Sequence, residues 1–170
     1  MKLRNLEQKD AIFMLEWMHD YEVVKDLQTN FTSKTINDCE EFISTSRSFS
    51  NNIHMAIVDE TDTYMGTVSL KNIHRETAEF AITIRKCAMG KGFSEFGMKQ
   101  IIQIGFNNYQ LKQIYWCVSP DNHRAVKFYD KNGYKRIDFN KLHIKCTYSE
   151  DQIKKFIWYA VTKDTKFINR

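Results

Sequence analysis

Between residues 53 and 84 the chain carries three alternating apolar segments with almost nothing between them. IHMAIVDE (53–60), TYMGTVSLKNI (63–73) and AEFAITI (78–84) each show the period of two of a half-buried strand, with DETD and HRE as turns. Connections this short leave consecutive strands only antiparallel pairing, so a three-stranded meander is predicted. The period then changes. After Gly90 and Gly92, apolar Phe93, Phe96, Met98, Ile101, Ile102, Ile104 and Phe106 predict a helix over 93–108 packed on a sheet. IYWCVS (114–119) follows as a buried strand ended by Pro120, and the intervening helix permits it to run parallel to 78–84.

The remaining elements are fainter. LRNL reads as a short first strand. QKDAIFMLEWMHD (8–20) reads as a helix with Ile12, Leu15 and Met18 on one face and Met14 and Trp17 beside it. A second helix within 35–48 uses Ile36, Cys39, Phe42 and Ile43. Residues 121–132 form a short helix, with Asp121 or Asn122 as cap and Gly133 as stop. YKRIDF (134–139) and IKKFIWYAV (153–161) are expected as the last strands, separated by a polar stretch containing SED. The expected fold class is α/β (α+β): a mixed, mostly antiparallel sheet of six or seven strands flanked by about four helices. A chain of 170 residues fits one domain, 1–170, and can bury about 70% of its unfolded surface without a disulfide or metal.

Composition excludes several classes. An apolar share of 42% and an aromatic share of 14% are those of a packed globule, not a disordered tail. Six Gly and one Pro rule out collagen-like and Pro-rich chains. MKLRNLEQKD holds no apolar run of signal-peptide length, and no stretch approaches the ~20 apolar residues of a membrane span. A soluble, cytoplasmic protein is expected, with no membrane partner. Cys39, Cys87, Cys117 and Cys146 show no C-x-x-C spacing, and only His143 lies near one of them, so no metal site is expected. Each cysteine is read as a small, reduced, packed hydrophobe. Charge is uneven: residues 1–62 carry a net −6 and residues 63–170 a net +10. The basic residues are scattered singly, which argues against nucleic acid as a partner despite the excess of cations.

The sharpest local feature is Arg85-Lys86-Cys87-Ala88-Met89-Gly90-Lys91-Gly92-Phe93-Ser94, between a strand and a helix. Two glycines one residue apart allow a tight turn and a close approach by a ligand. The following helix opens with free N–H groups and a positive dipole end, both suited to phosphate. Arg85, Lys86 and Lys91 are expected to add charge there. The turn is not a dinucleotide fingerprint, because Glu95 stands where the third Gly belongs, and not a Walker loop, because Phe93-Ser94 follows the last Gly.

About thirty residues on comes Asn122-His123-Arg124-Ala125-Val126-Lys127-Phe128-Tyr129, then Asn132-Gly133-Tyr134. With these two halves at this separation, the sequence resembles the GCN5-related N-acetyltransferases (GNAT), in particular the branch containing the ribosomal-protein alanine acetyltransferases and many amine- and sugar-acetylating relatives. The resemblance follows the element order of the whole chain and is specific across 66–136. MGTVSL, AEFAITI, MGKGFSEFGMKQIIQIGF, the Asn-x-x-Ala-x-x-x-Tyr run and the early LEWMHDYEV stretch carry it. One departure is Cys87, where the family usually has Arg or Gln three residues before the first Gly.

The resemblance implies a GNAT fold and acetyl-CoA as co-substrate, with no metal. It implies pantetheine along Ile82, Thr83 and Ile84, a pyrophosphate held by Met89, Gly90, Lys91, Gly92, Phe93 and Ser94, and further coenzyme contacts at Asn122 and Ala125. Tyr129 matches the family's general acid, and Asn122, Ala125 and Tyr129 share one helical face. The base must come from elsewhere. Glu79 is the first candidate, on a face shared with Ala81 and Thr83; Glu76, His74 and His54 are weaker. Glu95 suits the helix dipole. The acceptor is expected among the first two helices and residues 139–150, with Asp20, Glu22, Asp26, Asp38 and Glu40 steering a cationic amine, and Tyr21 or Trp17 as wall. The function implied is transfer of acetyl to a small-molecule amine or peptide N-terminus by a monomer or homodimer. An amino-sugar-nucleotide acetyltransferase, a non-catalytic acyl-CoA-binding module and a nucleic-acid binder stand as alternatives.

Overall fold

The structure, a computed structural model, describes residues 1–47, 51–142, 144 and 148–165; His143 and Cys146 lie outside the described residues. Six strands form one sheet in chain order: β1 (Lys2–Asn5), β2 (Ile53–Val58), β3 (Tyr64–His74), β4 (Thr77–Ile84), β5 (Gln113–Val118) and β6 (Ile157–Thr162). Every neighbouring pair is antiparallel except β4 and β5. The predicted meander is β2–β3–β4, and the predicted parallel crossover is the long helix between β4 and β5. Residues before β2 form α1 (Ala11–Met18), α2 (Tyr21–Val24) and α3 (Ile36–Thr45); later ones form α4 (Phe93–Asn108), α5 (His123–Lys131) and α6 (Glu150–Lys155).

Alternation along the strands divides the core between the two sheet faces. Ile57, Val68, Leu70, Phe80 and Ile84 pack with Met98, Ile101 and Ile102 of α4. Each such buried aliphatic side chain contributes about 1.5–3 kcal/mol. α4 lies close enough that a Cβ at Gly105 would come within 2.8 Å of Ile114 Cδ1. On the other face, Ala56, Val58 and Tyr64 meet Met14, Trp17 and Met18 of α1 and Cys39 and Ile43 of α3.

The structure corrects three expectations. Within α1 the buried residues are Ala11, Met14, Trp17 and Met18, while Ile12 is 60% exposed. Buried Asp10 fixes that rotation by accepting from Arg4 (2.7 and 2.8 Å) and from the Glu7 N–H (2.9 Å). Residues 134–139 make no strand. Asp130 draws Arg136 into an ion pair (2.6 Å) and Asp138 caps the turn that follows, leaving one bridge, Arg136 to Tyr159. The last strand begins at Ile157, because Ser149 and Gln152 form a reciprocal capping box that winds 150–155 into α6.

Candidate active site

β4 and β5 pair only at Thr77–Gln113, Ala78–Ile114 and Glu79–Tyr115, and then diverge. Each is held from outside, β4 by β3 as far as Ile84–Gly66 and β5 by β6 as far as Val118–Ile157. The Arg85 N–H donates to the Met65 carbonyl (2.9 Å), so alternation along β4 turns the peptide groups of Ile82 and Ile84 to the unpaired edge. A sheet thus opens in its middle with main-chain donors and acceptors facing the gap.

One side of the gap is a cleft of ≈ 330 Å³, lined by Ile82, Thr83, Ile84, Met89, Gly90 and Ser94, and across from them by Asn122, Ala125 and Tyr129. Gly90 (φ 74°) and Gly92 (φ 86°) are left-handed. A Cβ at Gly90 would meet nothing within 4 Å, so conformation, not crowding, calls for glycine there. Gly92 leads into α4 without a side-chain cap. The first intrahelical bond is Phe96 N–H to the Gly92 carbonyl (3.0 Å), so the Phe93, Ser94 and Glu95 N–H groups precede the ladder. Lys91 and Gly92 are exposed outside the cleft lining, and the Phe93 side chain is buried in the core. Glu95 pairs with Lys99 (2.7 Å), one turn on.

The charge expected of Arg85 is not at the loop. Its guanidinium is buried, paired with Glu16 (2.6 Å), donating to the Tyr64 carbonyl (2.9 Å) and lying over the Phe13 ring (4.4 Å). Lys86 leans toward Asp20 (3.7 Å). Cations in the cleft come instead from α5, where Arg124, Lys127 and Lys131 line it. Their spacing of three and four along one helix was the signal available in the sequence.

At the start of α5 the Asn122 side chain accepts from the Ala125 N–H (3.1 Å), which settles the capping residue. Tyr129 is 7% exposed, its ring 5.3 Å from Trp116 and 5.1 Å from Tyr159. Its hydroxyl has no hydrogen-bond partner among the described residues, and Tyr129 lines both the cleft and the gap. Burial, reinforced by nearby Tyr134 and Tyr159, pushes its pKa above the ordinary phenol value, so it stays protonated.

Beyond Tyr129 the gap continues as a chamber of ≈ 240 Å³ that includes Asp26, Glu79, Cys117 and Tyr148. Glu79 is not a lone carboxylate. It accepts from Lys71 (3.1 Å), Asn72 (3.1 Å) and Tyr148 (2.8 Å). Burial pushes the Cys117 thiol up to about 11. A third chamber, ≈ 290 Å³, lies between β2–β4 and the helices α1 and α3, with Trp17, Phe31, Phe42 and His54 around it. Ile82 and Thr83 line all three spaces. His54 Nδ1 is 2.8 Å from Ser69 Oγ, and burial, then Lys71, lowers its pKa below 6.5.

Much of the acidic first third is engaged elsewhere: Asp62 with Lys2, Arg4 and Lys9, Asp10 with Arg4, Glu22 with Lys25. Of the carboxylates expected to steer an amine, Asp26 and Asp38 line these chambers. Tyr21 is 69% exposed, outside all three. His74 and Glu76 sit exposed at the β3–β4 turn, and Glu76 pairs with Lys112 (2.8 Å). Cys87 is exposed rather than packed. Among the described residues no group of acidic, His and Cys side chains could hold a metal, and no helix is long and apolar enough to cross a membrane.

A family model described as an acetyltransferase (GNAT) domain matches residues 1–135. A Bacillus licheniformis protein called uncharacterized N-acetyltransferase p20 is 27% identical over 143 residues, covering 80% of this chain and 79% of its own. Among solved structures, spermidine N-acetyltransferase from Vibrio cholerae in complex with CoA and spermine superposes with a TM-score of 0.75 at 20% identity, covering 95% of this chain and 94% of that one. A GNAT-family acetyltransferase from Bacillus anthracis gives a TM-score of 0.72 at 18% identity, covering 96% and 95%. At these identities the two structures speak for the fold alone.

Proposed function

The chain belongs to the GNAT acetyltransferases and is an N-acetyltransferase with acetyl-CoA as donor; on that premise, we propose that it acts as a single catalytic domain, acetylating a small primary amine by direct attack. The observation that carries this reading is that three spaces share Ile82 and Thr83 in their linings, the first bordered by the glycine turn and the other two by rings and carboxylates.

The residues fit acetyl-CoA. The unpaired edge of β4 offers the peptide groups of Ile82 and Ile84 to an amide-bearing arm, as a sheet edge receives an added strand. The left-handed turn at Gly90 and Gly92 and the free N–H groups of Phe93 and Ser94 suit a diphosphate. Arg124, Lys127 and Lys131 supply positive charge along the same cleft. Asn122 and Ala125 leave the inner wall of α5 low beside the arm. When bound, the donor supplies an already activated thioester.

The chain's own part is positioning and proton transfer. Holding an amine beside the carbonyl contributes up to ~7–11 kcal/mol in well-aligned cases. A main-chain N–H of Ile82 or Ile84 polarises the carbonyl oxygen. The neutral amine nitrogen forms the new C–N bond as the C–S bond breaks, and Tyr129 gives its proton to the departing sulfur. Burial keeps this phenol in its protonated form. The proton leaving the amine passes toward Glu79, directly or through water. Lys71 and Tyr148 share Glu79 Oε1 while, among the described residues, Asn72 alone donates to Oε2, so Oε2 keeps a lone pair for the proton.

Tyr129→Phe tests the reading. The ring packing survives and no hydrogen bond to a described residue is lost, so thermal stability should hold. Turnover measured by thiol release should fall about 10²-fold with little change in donor KM. Unchanged turnover removes Tyr129 from the chemistry.

A further inference from the structure

We propose that the acceptor is a monoamine with a compact, ring-bearing body seated among Trp17, Phe31, Phe42 and His54, and not a linear polyamine. This rests on the acetyltransferase reading above and names its acceptor class.

The chamber that would hold the body opens on Ala81, Ile82 and Thr83, beside the gap where the thioester is expected. Its walls are rings already set edge to face: Trp17 and Phe31 with centroids 5.0 Å apart, Phe42 and His54 4.8 Å apart. Such walls offer flat apolar faces to another ring. The floor is Thr67, Ser69 and Thr83, with the Thr67 hydroxyl on Tyr64 (2.7 Å) and the Ser69 hydroxyl on His54 (2.8 Å).

Charge argues against a second ammonium in this chamber. The titratable groups lining it are Lys34 and Asp38 from the α3 side, His54 from β2 and Lys71 from β3. The Asp38 carboxylate is taken: it accepts from the Thr35 N–H and hydroxyl (2.8 and 2.6 Å) and from Lys34 (3.2 Å). Lys71 is bound to Glu79, and His54 is held toward its neutral form. An extra cation would therefore meet two lysines and no uncommitted carboxylate. Taking an ammonium out of water is costly, and an aromatic face returns only part of that cost. The balance favours an uncharged body.

One ammonium, by contrast, is provided for. The adjoining gap holds Glu79 and also Asp26, which has no ion-pair partner among the described residues. The reacting amine belongs there and its ring in the aromatic chamber.

The experiment uses the full chain with acetyl-CoA, measuring thiol release with 2-phenylethylamine, glucosamine and spermidine. At least one ring monoamine should exceed spermidine in kcat/KM by about tenfold or more, the scale of hydrophobic-pocket discrimination. The two ring arms tell an aryl from a sugar body. Phe42→Ala should raise the KM of the preferred ring amine about tenfold with a much smaller change in kcat. Phe42→Leu, closer in volume, should give a smaller rise, and retention of the acetyl-CoA-induced thermal shift reports an intact fold. Spermidine leading the panel, or a Phe42→Ala variant with unaltered KM, overturns the proposal while the acetyltransferase reading stands. Absence of any acetyl-CoA-induced shift together with no thiol release overturns both.

Discussion

On the side of the gap proposed for the donor, the groups open to a ligand are largely main chain: the edge of β4, the turn at Gly90 and Gly92, and the first N–H groups of α4. On the side proposed for the acceptor they are side chains drawn from α1, α3, β2, β3, β4 and the segments around Phe31 and Tyr148. A backbone clasp tolerates sequence drift while holding one donor. The acceptor differs, and side chains can be exchanged without disturbing the sheet. The difference predicts where substitutions change whether the protein works and where they change what it works on.

The largest effect should come from the backbone clasp. Gly92→Val forces a β-branched residue into a left-handed conformation, a strain of at least ~1–2 kcal/mol, and moves the N–H groups that follow. Acetyl-CoA affinity by calorimetry should fall more than about tenfold. An unchanged affinity would break the assignment of this turn to the donor. No acceptor-side substitution should have that effect.

A paired comparison sharpens the boundary. Arg85 is adjacent in sequence to the loop yet turned into the core, whereas Lys127 lies on another element yet lines the cleft. Arg85→Ala should leave the Tyr64 carbonyl without its donor and cost about 1–3 kcal/mol in urea unfolding, with donor affinity little altered. Lys127→Ala should leave stability unaltered and weaken the donor about threefold, less at high salt. The reverse pattern would put Arg85 back among the phosphate contacts.

These two residues also show how much was legible beforehand. The meander, the crossover, the glycine turn and the face shared by Asn122, Ala125 and Tyr129 depend on local periodicity and turn chemistry, which short windows of sequence contain. Arg85 read as a loop cation because its partner Glu16 is 69 residues away. Glu79 read as isolated because Lys71 and Asn72 meet it only through strand register, and Tyr148 reaches it from 69 residues away. The aromatic chamber was invisible for the same reason: Trp17, Phe42 and His54 occupy α1, α3 and β2, and Phe31 the loop before α3. The lost strand at 134–139 is a subtler case. Its apolar and β-prone residues were read correctly, but the Arg136–Asp130 pair and the Asp138 cap outweigh a marginal edge pairing.

The smallest expected effect concerns the acceptor chamber alone. His54 has its pKa lowered in the fold, first by burial and then by Lys71, from an ordinary 6.5. The unfolded chain therefore binds this proton more readily than the folded one. Stability should fall as pH drops from above 6.5 through the folded value, and this loss should be absent in His54→Gln. The depressed carboxylates titrate elsewhere: Asp38 is held at about 2 by the Thr35 hydroxyl, and Asp62 is lowered by Lys9 and Lys2. Their contributions are lost only as pH falls below the usual 3.8, so the two windows separate. Urea midpoints measured between pH 7.5 and 5 should thus converge for wild type and variant at the acid end if Gln costs some packing at neutral pH. A wild-type profile as flat as the variant's would mean that His54 is not held neutral, and that the chamber tolerates a charge it is argued to exclude.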